Sequence, residues 1–477
     1  MELIETGNKM PAFLVAWGSG QNALLTYLVI PFIKILGLNV LSVRLPIAIL
    51  GCISLIIMYL LLKKISNKKI ATIGLAFFAI CPWHIMKSRW GLESNLFPDL
   101  ILIFTYLLIK GIEDKNKILY FLSFVIAGIT AYAYGTSYFF LPLFLIPMLI
   151  MLVKKQKITI KQAIISIMIV GVVSLPIILF VIINTFNLEQ INLPFLTIPK
   201  LNVNRYKEIT SVFSGDFLTT SISNFIESIK ILITQTDGLP WNSIGAFGII
   251  YNFSIVFTII GIIYSFKRNK EGEIKYKYIF NIWFIVSIIL TFICEPNINR
   301  LNIIMIPIIY YTVIGIYKVI NYGTNIKNQK IIAGFIVILY LTFFILFIKT
   351  YINQDWDNYS TFEIDLEEVI QYVDNMQDKE IYITNKIKES YIYVLFYSEY
   401  NTRDFVETVQ YHNQYVEFRQ VEAFGNYHFD IIDNLKLDHE NIYVIKKQDK
   451  EKYNLEEKDC KITEFNKYIV IESRKEE

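Results

Sequence analysis

Charge is scarce in this chain: charged residues make up only 18% of its 477 positions, and cysteine and histidine occur four times each. Cys52, Cys81, Cys294 and Cys460 stand far apart with no CxxC pair. Neither a zinc site nor a disulfide framework is indicated. His412, His428 and His439 lack metal-ligand spacing and read as ordinary surface or core histidines. A formal net charge of +3 gives no argument for nucleic acid as a partner. No Walker loop is present, and the opening MELIETGNKM has neither the basic start nor the apolar run of a signal peptide.

What fills the space left by charge is apolar. At 54% hydrophobic residues and a mean hydropathy of +0.45, the chain is too apolar for a soluble protein of this length. Runs near the membrane-spanning length of about 20 residues recur through its first three-quarters. The expected spans are 41–62, 70–87, 96–111, 118–133, 138–152, 162–185, 243–265, 279–294, 303–320 and 331–349. The connectors after the odd-numbered spans are rich in lysine, from Lys63, Lys64, Lys68 and Lys69 in the first to Lys318, Lys327 and Lys330 in the last. The intervening connectors carry few cations beyond Lys87, Arg89 and Arg300. By the positive-inside rule the lysine-rich connectors are cytoplasmic and the others face out. The 186–240 loop and the tail from about 350 then also lie outside. The fold expected is mostly α: a polytopic helical membrane protein of about ten spans in the cell membrane, carrying a small extracytoplasmic α/β domain. Its division is 1–40, a partial first outer loop; 41–349, the transmembrane domain; and 350–477, the α/β domain. In that tail EIYIT, NIYVIKK and KYIVIES read as strands and TFEIDLEEVIQYVDNM as helix. Its Asp355-Trp356-Asp357 is a D-x-D tripeptide, common in charged linkers.

If span 41–62 runs inward, residues 1–40 are outside with nothing before them to carry them across. A preceding transmembrane helix is therefore expected. LLTYLVIPFIKIL at 24–36 is too short to span and is interrupted by Pro31, so it reads as an interfacial helix. Before it, WGSGQNALLTYL offers glycines for a tight turn beside a ligand, or simply a flexible loop, with Gln21 and Asn22 at its centre.

The outward connectors hold the chemistry. CPWHIMKSRWGLESN at 81–95 packs Trp83, His84, Lys87, Arg89, Trp90, Glu93 and Asn95 between two apolar segments, with Asp99 a turn further on. Ionisable groups at membrane depth point to function. The alternative is an interfacial belt, with the tryptophans at the headgroups and the cations snorkelling. Arg44 stands at the mouth of span 41–62. Tyr132, Tyr134 and Tyr138 surround Gly135 and Thr136, either as a belt or to stack on a sugar. Within 186–240 stand Arg205, Lys207 and Asp216, an amphipathic helix in SNFIESIKILITQ, and then Asp237, Trp241 and Asn242. Glu295, Asn297, Asn299 and Arg300 crowd the last outer connector.

The order of VRLPIAILG, SRWGLESN, AYAYGTSYFFLP and NRLNIIMIP resembles the GT-C superfamily of membrane glycosyltransferases, in the branch of the protein O-mannosyltransferases and the lipid A aminoarabinose transferase. The resemblance covers roughly the first two-thirds of the chain. It implies transfer of a sugar from a polyprenyl phosphate donor to an acceptor glycan, lipid or protein at the outer membrane face. Cations there hold the lipid phosphate, for which Arg44, Arg89 and Arg300 are the candidates. Arginine suits the task because its planar fork binds phosphate bidentately. Gln21, Asn22, His84, Asn95, Tyr132, Tyr134 and Asn299 are the candidate substrate contacts. The family's acid in the first outer loop is not matched here: Glu2 and Glu5 stand in no recognisable context, and Gln21 and Asn22 are not bases. The catalytic base is unassigned, with Glu93 and Asp99 the nearest acids. No motif requires a cofactor, and a divalent metal ion stays open. Two other readings compete: a non-catalytic subunit that binds the lipid carrier, and a flippase or transporter. The second would be marked by inverted repeats or by broken helices in matching halves, and neither is evident.

Overall fold

The computed structural model describes residues 7–15, 20–203, 209–267, 274–354, 361–376, 378–413, 416, 420–430, 432, 435–436, 440–453 and 460–474. Glu2, Glu5, the first part of the WGSGQN motif, Arg205, Lys207, the D-x-D tripeptide and His439 lie outside the described residues.

Helix α1 (Leu24–Leu36) is the short interfacial candidate, and its chain enters through a two-stranded ribbon of β1 (Phe13–Leu14) and β2 (Gln21–Asn22). The helices that follow are α2 (Val40–Ile65), α3 (Lys68–Ile80), α4 (Pro82–Arg89), α5 (Leu96–Glu113), α6 (Lys117–Thr130), α7 (Ser137–Lys154), α8 (Ile160–Val173) and α9 (Leu175–Phe186). After the long loop, with hairpin β3 (Ile191–Leu193) and β4 (Leu196–Ile198) and helix α10 (Phe217–Thr234), come α11 (Ile255–Phe266), α12 (Lys277–Ile293), α13 (Ile298–Leu301), α14 (Met305–Ile320) and α15 (Ile326–Asn353). Among the described residues five helical segments are long and apolar enough to cross a membrane, or seven when each of the bent pairs α3–α4 and α8–α9 is counted as one span. The expected spans at 118–133 and 279–294 form shorter apolar helices.

The expectation of a span from 243 is corrected: that helix starts only at 252, in a 3-10 turn, and 243–251 is turn. The cause lies in a neighbour. Cys81 precedes Pro82 and takes an extended conformation, so the helix breaks and α4 departs from α3 at 55°. Breaking a helix frees backbone groups that must be satisfied inside a membrane. The 243–251 turn supplies the partners: Ile249 O accepts from Trp83 N at 2.9 Å, and Tyr251 OH donates to Ile80 O at 2.7 Å. A segment committed to patching that break cannot close its own helical ladder.

The lysine-rich connectors meet on one face. Glu113 accepts from Tyr276 OH at 2.6 Å and from Lys275 Nζ at 3.1 Å, Lys64 pairs with Asp114, and Lys275 N donates to Ile65 O at 2.8 Å. The other connectors meet on the opposite face: Glu295 N donates to Ile209 O, Ile298 N to Asp237 Oδ2, and Leu24 N to Tyr132 O. Within the bundle α11 and α14 approach closely. A Cβ at Gly261 would fall 1.8 Å from Tyr311 O, and one at Gly315 would fall 1.9 Å from Phe257 O. Small residues at these positions let the backbones touch.

The tail folds around a sheet of order β10 (Cys460–Glu464), β11 (Tyr468–Ser473), β9 (Asn441–Lys446), β5 (Glu380–Thr384), β8 (Tyr427–Asp430), β7 (Val421–Phe424) and β6 (Gln410–Tyr411). Strand β5 runs parallel to both neighbours, and the other pairs are antiparallel. Helix α16 (Leu366–Asp374) lays Leu366, Val369, Ile370 and Val373 on the sheet, the i, i+3, i+4, i+7 pattern of one helical face. Helix α17 (Ser390–Tyr397) buries Val394 beside it.

Candidate functional site

The capping box at the start of α2 fixes where its first cation stands. Asn39 accepts from Ser42 N at 2.9 Å, and the Ser42 hydroxyl reaches back to Asn39. Arg44 follows within the next turn, exposed at that end of the helix. Arg89 is the last residue of α4 and is also exposed; its guanidinium lies 4.8 Å from the ring centre of Tyr351, near the end of α15. An arginine over an aromatic face keeps its charge and most of its donors for a further partner.

Both arginines line one half-open cleft of about 580 Å³. Its membrane side adds Val40, Met86 and Ile352 as apolar walls, with Trp90 and Trp241 set edge to face, ring centres 6.5 Å apart. Its other wall comes from the tail: Glu363, Glu367, Tyr393 and Tyr397. The Tyr397 phenol is pushed up by burial and by the Glu367 carboxylate, and pulled down by Arg44, so it lies within electrostatic reach of both walls. Glu363 is held by the Tyr468 hydroxyl and by Lys446 at 3.2 Å. No carboxylate among the described residues forms an ion pair with Arg44 or Arg89, and no cation forms one with Glu367. Two cations between apolar flanks can hold an amphiphile bearing a phosphate.

The other residues of 81–95 turn the opposite way. Lys87 donates to Asp99 Oδ2 at 2.5 Å, with side chains 3% and 1% exposed, and lies 5.0 Å from the Trp83 ring centre. Trp83, expected as a belt residue, is buried instead and donates to Asn302 Oδ1 at 2.7 Å; Asn302 donates on to Asn95 Oδ1 at 3.1 Å. His84 Nε2 lies 3.1 Å from Ser54 Oγ, its ring 4.0 Å from that of Phe78. Asp99, Asn95 and His84 are therefore bundle residues outside the cleft. Glu93 is half-buried and lies near Tyr138.

A second group forms beside α1. Asn22 accepts from Tyr138 OH at 2.6 Å, Tyr132 OH donates to Val173 O at 2.9 Å, and half-buried Gln21 and Tyr134 stand near them. None of these lines the cleft. Arg300 is tied to Glu295 at 2.8 Å, and Asn299 beside it is half-buried; neither lines the cleft. The structure thus brings two of the three expected arginines together. Tyr351, Glu367, Tyr393 and Tyr397 join them without any local sequence motif. The one signal pointing to Tyr351 is its place at the outward-read end of the last apolar run. Among the described residues no group of three or more His, Cys, Asp or Glu side chains could hold a metal ion.

A family model described as dolichyl-phosphate-mannose-protein mannosyltransferase matches residues 23–183. No curated protein matches the chain. Among solved structures, ArnT from Cupriavidus metallidurans bound to undecaprenyl phosphate is similar with a TM-score of 0.52 at 8% identity, over 96% of this chain and 90% of that one. The oligosaccharyltransferase of Archaeoglobus fulgidus tethered to an acceptor peptide is similar with a TM-score of 0.50 at 13% identity, over 81% of this chain and 56% of that one. The resemblance carried by VRLPIAILG, SRWGLESN, AYAYGTSYFFLP and NRLNIIMIP accordingly holds at the level of fold: the chain shares the fold of these two solved transferases, and the family model matches its first helices.

Proposed function

We propose that this chain transfers a sugar from a polyprenyl-phosphate donor to an acceptor hydroxyl, with the donor phosphate held by Arg44 and Arg89. The observation that carries the reading is the convergence of these two arginines in one cleft with apolar flanks. In the transfer the acceptor oxygen bonds to the anomeric carbon, the bond from that carbon to the phosphate oxygen breaks, and polyprenyl phosphate departs with the electron pair. The acceptor proton passes to a base. Positive charge fixed at the leaving oxygen stabilises the charge that develops there. Val40, Met86 and Ile352 suit the first isoprene units of the carrier.

The cleft face is read as the outer one, with the tail domain extracytoplasmic, because the lysine-rich connectors gather on the opposite face. In this reading residues 350–477 close the outer side of the transmembrane domain formed by 41–349. Arg300, already tied to Glu295, would serve the phosphate only after leaving that partner.

The test is titration of the purified full chain in nanodiscs with undecaprenyl phosphate, beside incorporation of sugar from labelled polyprenyl-phosphate donors. Saturable binding that weakens by about tenfold or more in Arg44→Ala and Arg89→Ala is expected, a scale set by charge-assisted hydrogen bonds. Absence of binding by the wild type would refute the reading. Binding without incorporation from any donor would identify a carrier-binding subunit that does no transfer.

A further inference from the structure

The cleft has one wall that the phosphate reading leaves without a task. Glu367 stands in the first turn of α16, exposed and lining the cleft. Its neighbour Glu363 is occupied by Tyr468 and Lys446, whereas no cation among the described residues pairs with Glu367. Tyr393 and Tyr397 are one turn apart on α17, with rings 6.3 Å apart and within 19° of parallel. Side by side and half-buried, they present an amphipathic aromatic surface with two phenolic hydroxyls. A flat aromatic face against C–H groups, next to a carboxylate that accepts from several hydroxyls, is the chemistry that recognises a sugar ring.

We propose that Glu367, Tyr393 and Tyr397 form the subsite for the sugar of the lipid-linked donor, so that the tail domain sets sugar specificity. The inference rests on the phosphate reading of Arg44 and Arg89, which line the same cleft as Glu367, Tyr393 and Tyr397. Tyr397 feels both Glu367 and Arg44, so the two walls lie close enough to share one small ligand. A volume of about 580 Å³ falls within the range of about 300–1,000 Å³ usual for small-molecule sites. The two walls carry opposite charge, yet no ion pair closes them on each other among the described residues. A ligand with an anionic end and a hydroxylated end answers both.

The test compares bare undecaprenyl phosphate with a panel of undecaprenyl-phosphate-linked hexoses and pentoses, by competition against labelled undecaprenyl phosphate on the full chain in nanodiscs. The wild type is expected to bind at least one sugar-bearing lipid about tenfold more tightly than the bare one, the scale of a hydrogen bond to a charged group. Glu367→Gln and Tyr397→Leu should each erase most of that advantage while bare-lipid affinity stays within about twofold, well under the scale of one such bond. A panel with no sugar-bearing lipid favoured would overturn the subsite. So would an advantage that survives both substitutions, or equal weakening of bare and sugar-bearing lipids. Failure of the wild type to bind bare undecaprenyl phosphate would instead sink the phosphate reading. Glu367→Gln changes a surface side chain by one atom, so its outcome does not hinge on folding.

Discussion

Lys87 and Arg89 stand two positions apart on one short helix and meet opposite environments. At 3.6 residues per turn, two positions rotate a side chain by about 200°. Lys87 turns into the bundle to pair with Asp99, and Arg89 turns out to the cleft. Cations at the same depth in sequence are thus of two kinds. One is neutralised by a dedicated carboxylate and an aromatic face and ties α4 to α5. The other rests on Tyr351 and keeps donors available. Side-chain chemistry does not separate them; direction on the helix does.

The largest effect should come from breaking the inward member. Lys87→Ala leaves the Asp99 carboxylate buried without its cation, and loss of one partner of a buried pair costs about 3–5 kcal/mol. Thermal unfolding of the detergent-purified protein should show a large fall in Tm or loss of folded protein. Replacing both, as Lys87→Met with Asp99→Leu, should restore most of the stability, since an apolar pair of similar volume has no charge to desolvate. A double variant as unstable as the single one would mean that the pair does more than neutralise itself.

Arg89→Ala should do the converse. Transfer should fall by about a hundredfold, the scale of removing one donor that stabilises developing charge, while Tm barely moves. Equal losses of stability in Arg89→Ala and Lys87→Ala would erase the distinction between the two faces.

How much of this could be read from the chain follows the same division. The apolar helices come from apolar runs, which are local or periodic, and α1, β5 and α16 arise from equally local patterns. The 81–95 stretch announced its importance through composition, but not which of its members faced the cleft. His84 turned inward because the Cys81–Pro82 break redirects α4 relative to α3, while Asn95 and Asp99, on the elements after α4, meet Asn302 and Lys87 inside the bundle. Trp83 left the expected belt because Asn302, more than 200 residues away, offers its indole a partner inside the bundle. Glu367, Tyr393 and Tyr397 reach Arg44 only through the docking of a separately cored domain, and no spacing along the chain encodes that.

A smaller effect is expected at Asn302, the hinge of the inward network. It accepts from Trp83 and donates to Asn95, so Asn302→Ala strands a buried N–H and a buried amide oxygen. Leaving such groups unsatisfied costs about 1–3 kcal/mol. Thermal unfolding should place this variant between wild type and Lys87→Ala. A variant at or below Lys87→Ala would make the asparagine, not the ion pair, the main tie between α4 and the α13–α14 junction.

The smallest effect belongs to an ion cluster with no burial behind it. Glu464 accepts from Lys447 and Lys450, each at 2.7 Å, with its side chain 42% exposed. Hydrogen bonds and charge from the two ammonium groups hold its carboxyl at about 2, below the ordinary 4.5. A carboxyl whose folded-state pKa is depressed adds stability above its ordinary pKa, and the contribution disappears as pH falls from about 4.5 towards 2. Water screens this cluster as it cannot screen Lys87 and Asp99, so Glu464→Gln should shift Tm at pH 6 by no more than about 2 °C. The shift should vanish in acid, where the wild-type carboxyl is itself protonated. A shift at pH 6 as large as that of Lys87→Ala would show that burial does not separate strong ion pairs from weak ones in this chain.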